Sequence, residues 1–524
     1  MNAVNRRGWT NPLSGQSGRP PRGALRRGWI LLALIVAVAV VAAACTGSRD
    51  DQRLVPPGGQ ALTSAPGGEI RDFSLTAAPA TLELRPGLKT DVWAYNGTVP
   101  GPELRVKVGD LIRVHLTNNL PTGTTIHWHG LRVPNRQDGV AGVTQDAIPS
   151  GGQASYAFVA TTAGTYWYHP HQNSADQEDR GLYGIVIVEP RDGTPPAALD
   201  EALVYDEWPT GTPQATAPPG DDASMVRYGV YSVNGRTGNG IHSIRFQSGS
   251  IARLRLVNAG FLTHYIHIHG VQFQIVATDG HELVGGPLTD HAVTLGAGER
   301  IDVQFIAPGS AVWVHAHDPS APAGQIGVPL LPVGEPVPAT MPGQDESISA
   351  TVLDLLNYPA RAVGPVWTDS AKASKAWILT LNESMGGMAD SRQGMPGMTG
   401  MPTRYSINGK TFPNTDTLVV KDGDRVILTF VNKGRLEHPM HVHGHAFQVL
   451  ALDGQPVASQ LVKDTVLVEP GSSVTVGFVA NNPGWWMVHC HELHHANGGM
   501  ALLVTYGGTV RPAQMGGAFG NSSG

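Results

Sequence analysis

The feature that most constrains the fold is a threefold internal repeat. The motif His-x-His-Gly occurs at positions 127–130, 267–270 and 441–444. An Asn-Gly pair lies upstream of each motif, at 96–97, 234–235 and 408–409, and a second His-x-His pair lies downstream, at 169–171, 315–317 and 489–491. Markers that recur in the same order at nearly constant spacing predict three equivalent structural units in tandem.

The segments between these markers have the character of β-strands. Residues 111–116, 251–256 and 426–430 are rich in apolar and β-branched residues and lie between glycine or aspartate turns, which is the pattern of half-buried strands. Charged residues make up only 15% of the chain, and 65 glycines and 40 prolines are scattered through its 524 residues. This composition favours short strands joined by turns over long helices. We therefore predict an all-β protein with three β-sandwich domains in tandem.

Shifts in composition predict the domain boundaries. The predicted segments are domain 1 at 69–190, domain 2 at 201–330, a linker at 331–372, domain 3 at 373–507 and a tail at 508–524. One insertion in domain 3, at 385–401, departs from the repeat and holds five of the chain's twelve methionines: Met385, Met388, Met395, Met398 and Met401.

The N-terminal segment, 1–44, has the composition of an export signal. It carries six arginines and no acid, and Arg26-Arg27 opens a twin-arginine-like motif before an apolar run at 28–44. That run is short for a bilayer span of about 20 residues but suits a signal-peptide core. It ends in a lipobox-like sequence, so we expect a lipid on Cys45 and a flexible tether over 45–68. The alternative is an uncleaved membrane anchor, and both interpretations predict a protein of the cell envelope.

Charge and cysteine content exclude several classes of protein. The formal net charge is −6, and removal of the segment 1–44 lowers it to −12. No basic run occurs after this N-terminal segment, so we expect no nucleic-acid partner. Two cysteines are too few for a disulfide-rich scaffold.

The last histidine pair belongs to a cluster of metal-ligand residues. These are His489, Cys490, His491, His495 and Met500. A cysteine with two imidazoles and a thioether is the ligand set of a blue-copper electron-transfer site. His438 is the candidate for the second imidazole beside Cys490. Zinc is the weaker interpretation, because a closed zinc site needs four Cys or His ligands and only one thiolate is at hand.

The alternation of side chains along a strand implies a connection between two metal sites. An isolated His-x-His pair places two imidazoles about 7 Å apart on one face and could equally be a pair of surface histidines. In the last pair, however, Cys490 points to one face of its strand while His489 and His491 point to the other. A copper bound by Cys490 would therefore be joined through the backbone to any metal bound by the two histidines.

Four segments, in this order, resemble the four copper-binding motifs of the multicopper oxidases, the laccase-like family: 127–130, 169–171, 438–443 and 489–500. The resemblance extends over nearly the whole chain after the leader. It implies the following ligands: His438, Cys490, His495 and axial Met500 for type 1 copper, His127 and His441 for type 2 copper, and His129, His169, His171, His443, His489 and His491 for the paired type 3 coppers.

The same resemblance implies a fold and a reaction. The fold would be three tandem cupredoxin-like Greek-key β-sandwiches, and the cofactors would be four copper ions. The reaction would couple four one-electron oxidations to the reduction of dioxygen to two waters. The implied partners are dioxygen and either Cu(I) or a small phenolic reductant, and we expect a monomer that contacts a membrane only through its N-terminal lipid or anchor.

Two features depart from the family's pattern. Many bacterial relatives carry an acid directly after the last type 1 histidine, where this chain has Ala496. The proton relay would then fall to Asp138, which matches a family acid eleven residues after the first cluster histidine; an ordinary turn residue is the alternative. The middle domain keeps two histidine pairs but lacks the cysteine, so its histidines are either relics and structural residues or an additional metal site. They are His267, His269, His315 and His317.

The methionine-rich insertion bears on the substrate. Its thioethers are soft ligands that select Cu(I), and the segment resembles those of bacterial copper-efflux and copper-resistance oxidases; a merely tolerated loop is the alternative. We predict an oxidase of Cu(I), phenols or both with a role in copper resistance. The competing hypotheses are a general phenol-oxidising laccase, a non-catalytic copper-sequestering lipoprotein and a copper nitrite reductase, which has fewer domains and lacks this His-Cys-His pattern.

Overall fold

A computed structural model describes residues 63–193, 196–209, 228–317, 326–337, 351–364, 367, 372–385, 403–516 and 520–522. Within these ranges the chain forms six β-sheets and two short α-helices, so the all-β prediction is confirmed. None of the helices in the described ranges is long and apolar enough to span a membrane.

The first two sheets form a sandwich that we call the first sandwich. Their strand orders are β2-β1-β4-β6 and β3-β8-β7-β5. The strands are β1 (Ile70–Arg85), β2 (Leu88–Tyr95), β3 (Gly101–Lys107), β4 (Leu111–Asn118), β5 (His127–His129), β6 (Gln153–Val159), β7 (Gly164–His169) and β8 (Gly184–Glu189), with α1 at Ser174–Asp179 and a 3-10 turn at Asn135–Gln137. Alternate apolar side chains of both sheets, such as Ile112 and Val186, share one core.

The middle sandwich has sheets of seven and six strands. Their orders are β10-β9-β12-β17-β14-β15-β21 and β11-β19-β18-β13-β16-β20. The strands are β9 (Leu199–Pro209), β10 (Tyr228–Val233), β11 (Ile244–Phe246), β12 (Ile251–Asn258), β13 (His264–His269), β14 (Phe273–Thr278), β15 (His281–Val284), β16 (His291–Leu295), β17 (Arg300–Ile306), β18 (Val312–His317), β19 (Ile326–Pro332), β20 (Thr351–Val352) and β21 (Arg361–Ala362), with a 3-10 turn at Gly238–Gly240.

The last sandwich repeats this arrangement. Its sheets run β23-β22-β25-β31-β27-β28, with β29 beside β27, and β24-β33-β32-β26-β30. The strands are β22 (Lys375–Met385), β23 (Thr403–Ile407), β24 (Leu418–Val420), β25 (Arg425–Asn432), β26 (His438–Val442), β27 (Phe447–Leu452), β28 (Gln455–Pro456), β29 (Val462–Lys463), β30 (Thr465–Val468), β31 (Ser473–Val479), β32 (Trp485–Cys490) and β33 (Ala501–Tyr506), with α2 at Leu493–Asn497.

The Asn-Gly markers of the repeat are tight turns. Asn96, Asn234 and Asn408 have φ angles of 54°, 50° and 53°, and the glycine after each is also left-handed, as the two central residues of a type I′ turn require. Each asparagine side chain also bonds the first strand of its sandwich; the Asn96 Oδ1, for example, accepts from the Thr76 N–H at 2.7 Å. The marker recurs because each sandwich needs the same turn at the same place.

The histidine pairs recur in the same register. In antiparallel strand pairs, His127 lies opposite His169, His267 opposite His315, and His441 opposite His489. Each sandwich therefore places one histidine of each pair directly opposite one of the other pair, on the same sheet face.

The predicted domain boundaries stay predictions. Two short strands, β20 and β21, lie within the predicted linker 331–372 and add to the sheets of the middle sandwich. The export signal with Cys45, and the methionines from Met388 to Met401, lie outside the described residues; Met385 ends β22.

Candidate metal centre

Three candidate ligands meet at the end of β32. The Cys490 sulfur lies 3.7 Å from Nδ1 of His438 and 3.6 Å from Nδ1 of His495, and the two nitrogens are 3.2 Å apart. His438 begins β26, which pairs with β32, whereas His495 lies in α2, the helix that follows Cys490. All three side chains are buried, so a thiol and two imidazole nitrogens face one point inside the last sandwich.

The chain around α2 holds this group in place. The Glu492 carboxylate caps the helix by accepting a hydrogen bond from the His495 N–H at 2.7 Å. The Tyr405 ring stacks on the His495 ring at 4.1 Å. Met500 is buried, its N–H donates to the His495 carbonyl at 2.9 Å, and its carbonyl accepts from the Cys490 N–H at 3.1 Å. The backbone thus ties the predicted axial residue to two of the other candidate ligands.

Eight further histidines form one buried cluster between the first and last sandwiches. They are His127, His129, His169, His171, His441, His443, His489 and His491. The His129 and His441 rings stack at 3.8 Å, and the His127 and His443 rings lie 4.0 Å apart. Each contact joins a histidine of β5 to one at or just after β26, so neither sandwich forms the cluster alone.

One nitrogen of most of these imidazoles is bonded to the protein. Nδ1 of His127, His441 and His489 contacts a backbone carbonyl at 2.8, 2.9 and 2.8 Å, and Nδ1 of His169 contacts the Pro170 carbonyl at 3.0 Å. The opposite nitrogens of His127, His169 and His441 have no hydrogen-bond partner among the described residues. The Nε2 atoms of His443 and His171 instead approach Nε2 of His489, at 2.9 and 3.4 Å.

Burial keeps several of these imidazoles in the neutral form, which binds metals. It lowers the pKa of His169, His171 and His443 well below the usual value, and the pKa of His489 to about 3. Burial, followed by the neighbouring His495, also lowers the pKa of His438 to about 3. A neutral imidazole binds a metal through its unprotonated nitrogen, so these side chains need not lose a proton first.

The donor set fits copper. Buried nitrogens without partners are costly, and here they converge in groups of three, such as those of His127, His129 and His169. Burial raises the pKa of the Cys490 thiol well above its usual value, so a bound metal would have to displace its proton. One thiolate with two imidazoles, beside a purely imidazole cluster, matches the ligand preferences of copper.

Comparison with known proteins agrees with this geometry. Two family models, both described as multicopper oxidase, match residues 76–193 and residues 211–317 and 388–508. The multicopper oxidase MmcO of Mycobacterium tuberculosis is 31% identical over 477 residues, which cover 84% of this chain and 88% of MmcO. The chain belongs to the multicopper oxidases.

Two more members of the family are similar along most of their length. A copper resistance protein A homologue of Pseudomonas syringae is 25% identical, covering 82% of this chain and 91% of the homologue. The crystal structure of a multicopper oxidase from Pseudomonas thermotolerans superposes with a TM-score of 0.64 at 28% identity, over 84% of this chain and all of that one. The predicted cupredoxin-like fold is therefore confirmed.

Family membership establishes the class of chemistry. As a multicopper oxidase, the protein is an oxidoreductase that binds four copper ions, of types 1, 2 and 3. It uses dioxygen as electron acceptor and a reduced substrate, such as Cu(I) or a phenol, as donor.

In this multicopper oxidase Asp138 lies at the histidine cluster rather than in an exposed turn. It is 1% exposed at the end of the short 3-10 turn Asn135–Gln137. Its carboxylate oxygens lie 3.0 Å from Nδ1 of His443 and 3.2 Å from Nδ1 of His127. One carboxylate therefore contacts a candidate ligand from each of the two sandwiches, and the relay role stays a prediction.

A buried ion pair that no sequence motif indicated also supports the cluster. The Arg300 guanidinium of β17 donates two hydrogen bonds to the Asp464 carboxylate, at 2.7 and 2.6 Å. Asp464 Oδ1 lies 3.1 Å from Nε2 of His129, and its carbonyl contacts Nδ1 of His441 at 2.9 Å. Burial opposes ionisation of the Asp464 carboxyl, but the positive charge of Arg300 and its hydrogen bonds favour it. The pKa of Asp464 therefore lies well below its usual value. All three sandwiches meet at this pair.

A second missed residue is Glu178 of α1. Its buried carboxylate contacts Nδ1 of His169. Burial, followed by the charges of Asp179 and Asp206, raises the pKa of Glu178 well above its usual value. A carboxyl group beside the second nitrogen of a metal-binding histidine orients the ring. The only local signal was an acid seven residues after His171 in a short helix, which no spacing rule singles out.

The middle sandwich also approaches the cluster through a glycine. Gly298 has a φ angle of +80°, and a Cβ atom there would lie 2.7 Å from the His491 ring. Only glycine allows both this conformation and this approach. The middle sandwich, whose own histidines stand elsewhere, thus shapes the cluster by an ion pair and a close contact.

Proposed function

We propose that this multicopper oxidase oxidises Cu(I) in copper resistance and accepts small phenols as further donors. The proposed ligands are His438, Cys490, His495 and Met500 for type 1 copper, His127 and His441 for type 2 copper, and His129, His169, His171, His443, His489 and His491 for type 3 coppers. The distances among the first group, and the convergence of the others on the interface, support this assignment.

When bound, the four coppers would take single electrons from the substrate and deliver them to dioxygen. The chain supplies the route between the two centres, because the Cys490 backbone is bonded directly to His489 on one side and His491 on the other. It also places the Asp138 carboxylate at the cluster, where protons are needed for the formation of water.

The position of the methionine-rich segment carries the proposal of Cu(I) as substrate. The segment connects β22 to β23, and the last pair of this hairpin is Met385 opposite Thr403. Glu383 in β22 lies 3.8 Å from Nε2 of His438, and Tyr405 in β23 stacks on His495. Both strands that flank the methionine-rich segment along the chain therefore contact candidate type 1 ligands.

The Glu383 carboxylate beside His438 also favours binding of a cation. Oε2 of Glu383 has no hydrogen-bond partner among the described residues, while Oε1 accepts from the Arg435 N–H. A carboxylate oxygen next to a type 1 ligand attracts a cuprous ion, and soft thioethers bind it without deprotonation. The similarity to a copper resistance protein A homologue supports the same role.

The proposal extends to location. We infer that the protein is exported and held at the cell envelope by a lipid on Cys45, and that it acts as a monomer. Recovery in the detergent phase of membrane extracts, and its loss in Cys45→Ala, would support the lipid. An unmutated protein that is fully soluble and begins well after residue 45 would contradict it.

Oxygen uptake by the purified enzyme tests the choice of substrate. We expect uptake with Cu(I) at a higher kcat/KM than with Fe(II) or a phenol. Glu383→Gln should lower kcat/KM for Cu(I) more than for the phenol, because only the cation gains from the negative charge. Equal losses for both donors, or no oxidation of Cu(I) by the unmutated enzyme, would contradict the proposal.

A further inference from the structure

The middle sandwich carries two His-x-His pairs in the same strand register as the pairs of the other two sandwiches. His267 lies opposite His315 in the antiparallel pair of β13 and β18. This register equals that of His441 and His489, which the enzyme uses at the interface. The middle sandwich therefore keeps the strand geometry that presents imidazoles to a metal.

The rings are as close as those of the copper cluster. The His267 and His269 rings are 4.0 Å apart, and the His269 and His315 rings are 4.6 Å apart. The corresponding contact of His441 with His443 is 4.8 Å, and that of the type 1 pair His438 and His495 is 4.9 Å. His269 is thus the central member of a compact group of three imidazoles.

These histidines are not packed into the core of their sandwich. Ile266, Ile268 and Val314, which alternate with them along the same strands, belong to the hydrophobic core. Successive side chains of a strand point to opposite faces, so the histidines occupy the face away from this core. His267 and His315 are nevertheless buried, while His269 is partly exposed. The three imidazoles therefore lie outside the apolar core of the middle sandwich.

We propose that His267, His269 and His315 bind one additional metal ion, Cu(II), separate from the four coppers of the oxidase. Three imidazoles with a fourth position open to water are a known set of metal ligands in zinc enzymes. Imidazole suits both copper and zinc, and the general order of affinities favours Cu(II). Binding requires rotation of the rings about χ2, which is a soft torsion.

Metal counting on the intact holoenzyme tests the proposal. The enzyme, loaded with its four coppers, is titrated with Cu(II) by equilibrium dialysis. The bound copper per chain is then counted, and the electron paramagnetic resonance spectrum of the same sample is recorded. We expect one further Cu(II) per chain, with a signal of nitrogen-ligated copper. Zn(II) should compete for the same position more weakly than Cu(II).

Variants identify the ligands. His269→Gln should weaken binding of the additional ion at least tenfold, and His267→Gln with His269→Gln should abolish it. His291→Gln, in the neighbouring strand β16 of the same sheet, is the matched control and should bind as the unmutated enzyme does. Oxygen uptake should be unchanged in all of them, because none belongs to the proposed ligands of the four coppers, so failure here is distinct from failure of the proposed function.

Three outcomes would overturn the proposal. The first is a copper content that stays at four per chain during the titration. The second is binding of the additional ion by the single variant His269→Gln as tight as that by the unmutated enzyme. This single variant is the one to use if the double variant does not fold. The third is one additional ion for every two chains, or tighter binding of Zn(II) than of Cu(II).

Discussion

The two copper centres share strand β32 but are built in different ways. The Cys490 centre uses the segment 438–500 only, so one sandwich assembles it from two paired strands and a short helix. The eight-histidine cluster needs His127 and His171 from one end of the chain and His441 and His491 from the other. The first centre is a local product of one fold, and the second is a property of an interface.

The support of the two centres differs in the same way. Around Cys490 the helix cap and the ring stack on His495 lie within the last sandwich, although α2 also packs on Ala175 and Phe261 of the other two sandwiches. Around the cluster it is a buried carboxylate, Asp464, held by Arg300 from the middle sandwich. Loss of the Arg300 ion pair should therefore damage the cluster and spare the blue centre, and the following predictions test that separation.

The largest effect is expected from Cys490→Ser. A hydroxyl is a hard and poor ligand for this copper, so the visible blue band and substrate oxidation should both disappear. The interface cluster should keep its three coppers, because Cys490 contributes only its backbone to that side. Absorption spectra and copper analysis measure both points. An intense blue band in the variant would contradict the assignment of Cys490 as a type 1 copper ligand.

Arg300→Met should produce the reverse pattern. It leaves Asp464 buried and unpaired, which costs about 3–5 kcal/mol of stability, and it should release copper from the cluster while the blue band remains. Denaturant unfolding and copper content are the measurements. The control is Arg113→Met, which removes an exposed pair with Asp72 worth at most about 1 kcal/mol. Equal destabilisation by both changes would contradict a special role for Arg300.

Asp138→Asn should slow oxygen reduction without changing the blue centre. Loss of a carboxylate next to metal-binding histidines costs about 10- to 100-fold in activity or metal affinity. Stopped-flow reduction of the blue band by substrate should proceed at the normal rate, whereas its reoxidation by dioxygen should be slow. Reoxidation at the normal rate would show that Asp138 only stabilises the turn and has no role in oxygen reduction.

The methionine-rich segment allows a comparison of substrates at the blue centre. Changing Met385, Met388, Met395, Met398 and Met401 to Ser should lower kcat/KM for Cu(I) several-fold and leave phenol oxidation unchanged or faster. The same five positions changed to Leu should behave like the Ser variant, because leucine keeps the bulk but has no thioether. A Leu variant with full Cu(I) activity would show that the thioethers are not the ligands.

Met500→Leu should have the smallest effect, confined to the blue centre. The substitution nearly conserves volume but removes a weak donor that favours Cu(II), so the reduction potential should rise. Met440→Leu is the matched control, since Met440 is equally buried and lies opposite Cys490 in β26 without a proposed ligand role. A potential that moves equally in both variants would exclude Met500 as the axial ligand.

Much of the fold could be predicted because the sequence patterns that mark each repeat are local. The Asn-Gly turn around Asn96, the alternation along β4 and the His-x-His spacing each need only a few neighbouring residues to be recognised. Predictions that depended on contacts between residues far apart in the chain were less complete. Asp138 was predicted from the resemblance to the family, but its contact with His443, 305 residues away, has no sequence signature.

Local patterns were enough to predict the three sandwiches and the order of the candidate copper ligands, because strand alternation and turn chemistry act over a few residues. Packing between the sandwiches sets which histidines meet. His129 reaches Asp464 across 335 residues, and Arg300 and Glu178 support the cluster from segments that carry no motif. A charge needs a partner only once folding has removed its water, so the identity of that partner is decided by packing and not by any spacing along the chain.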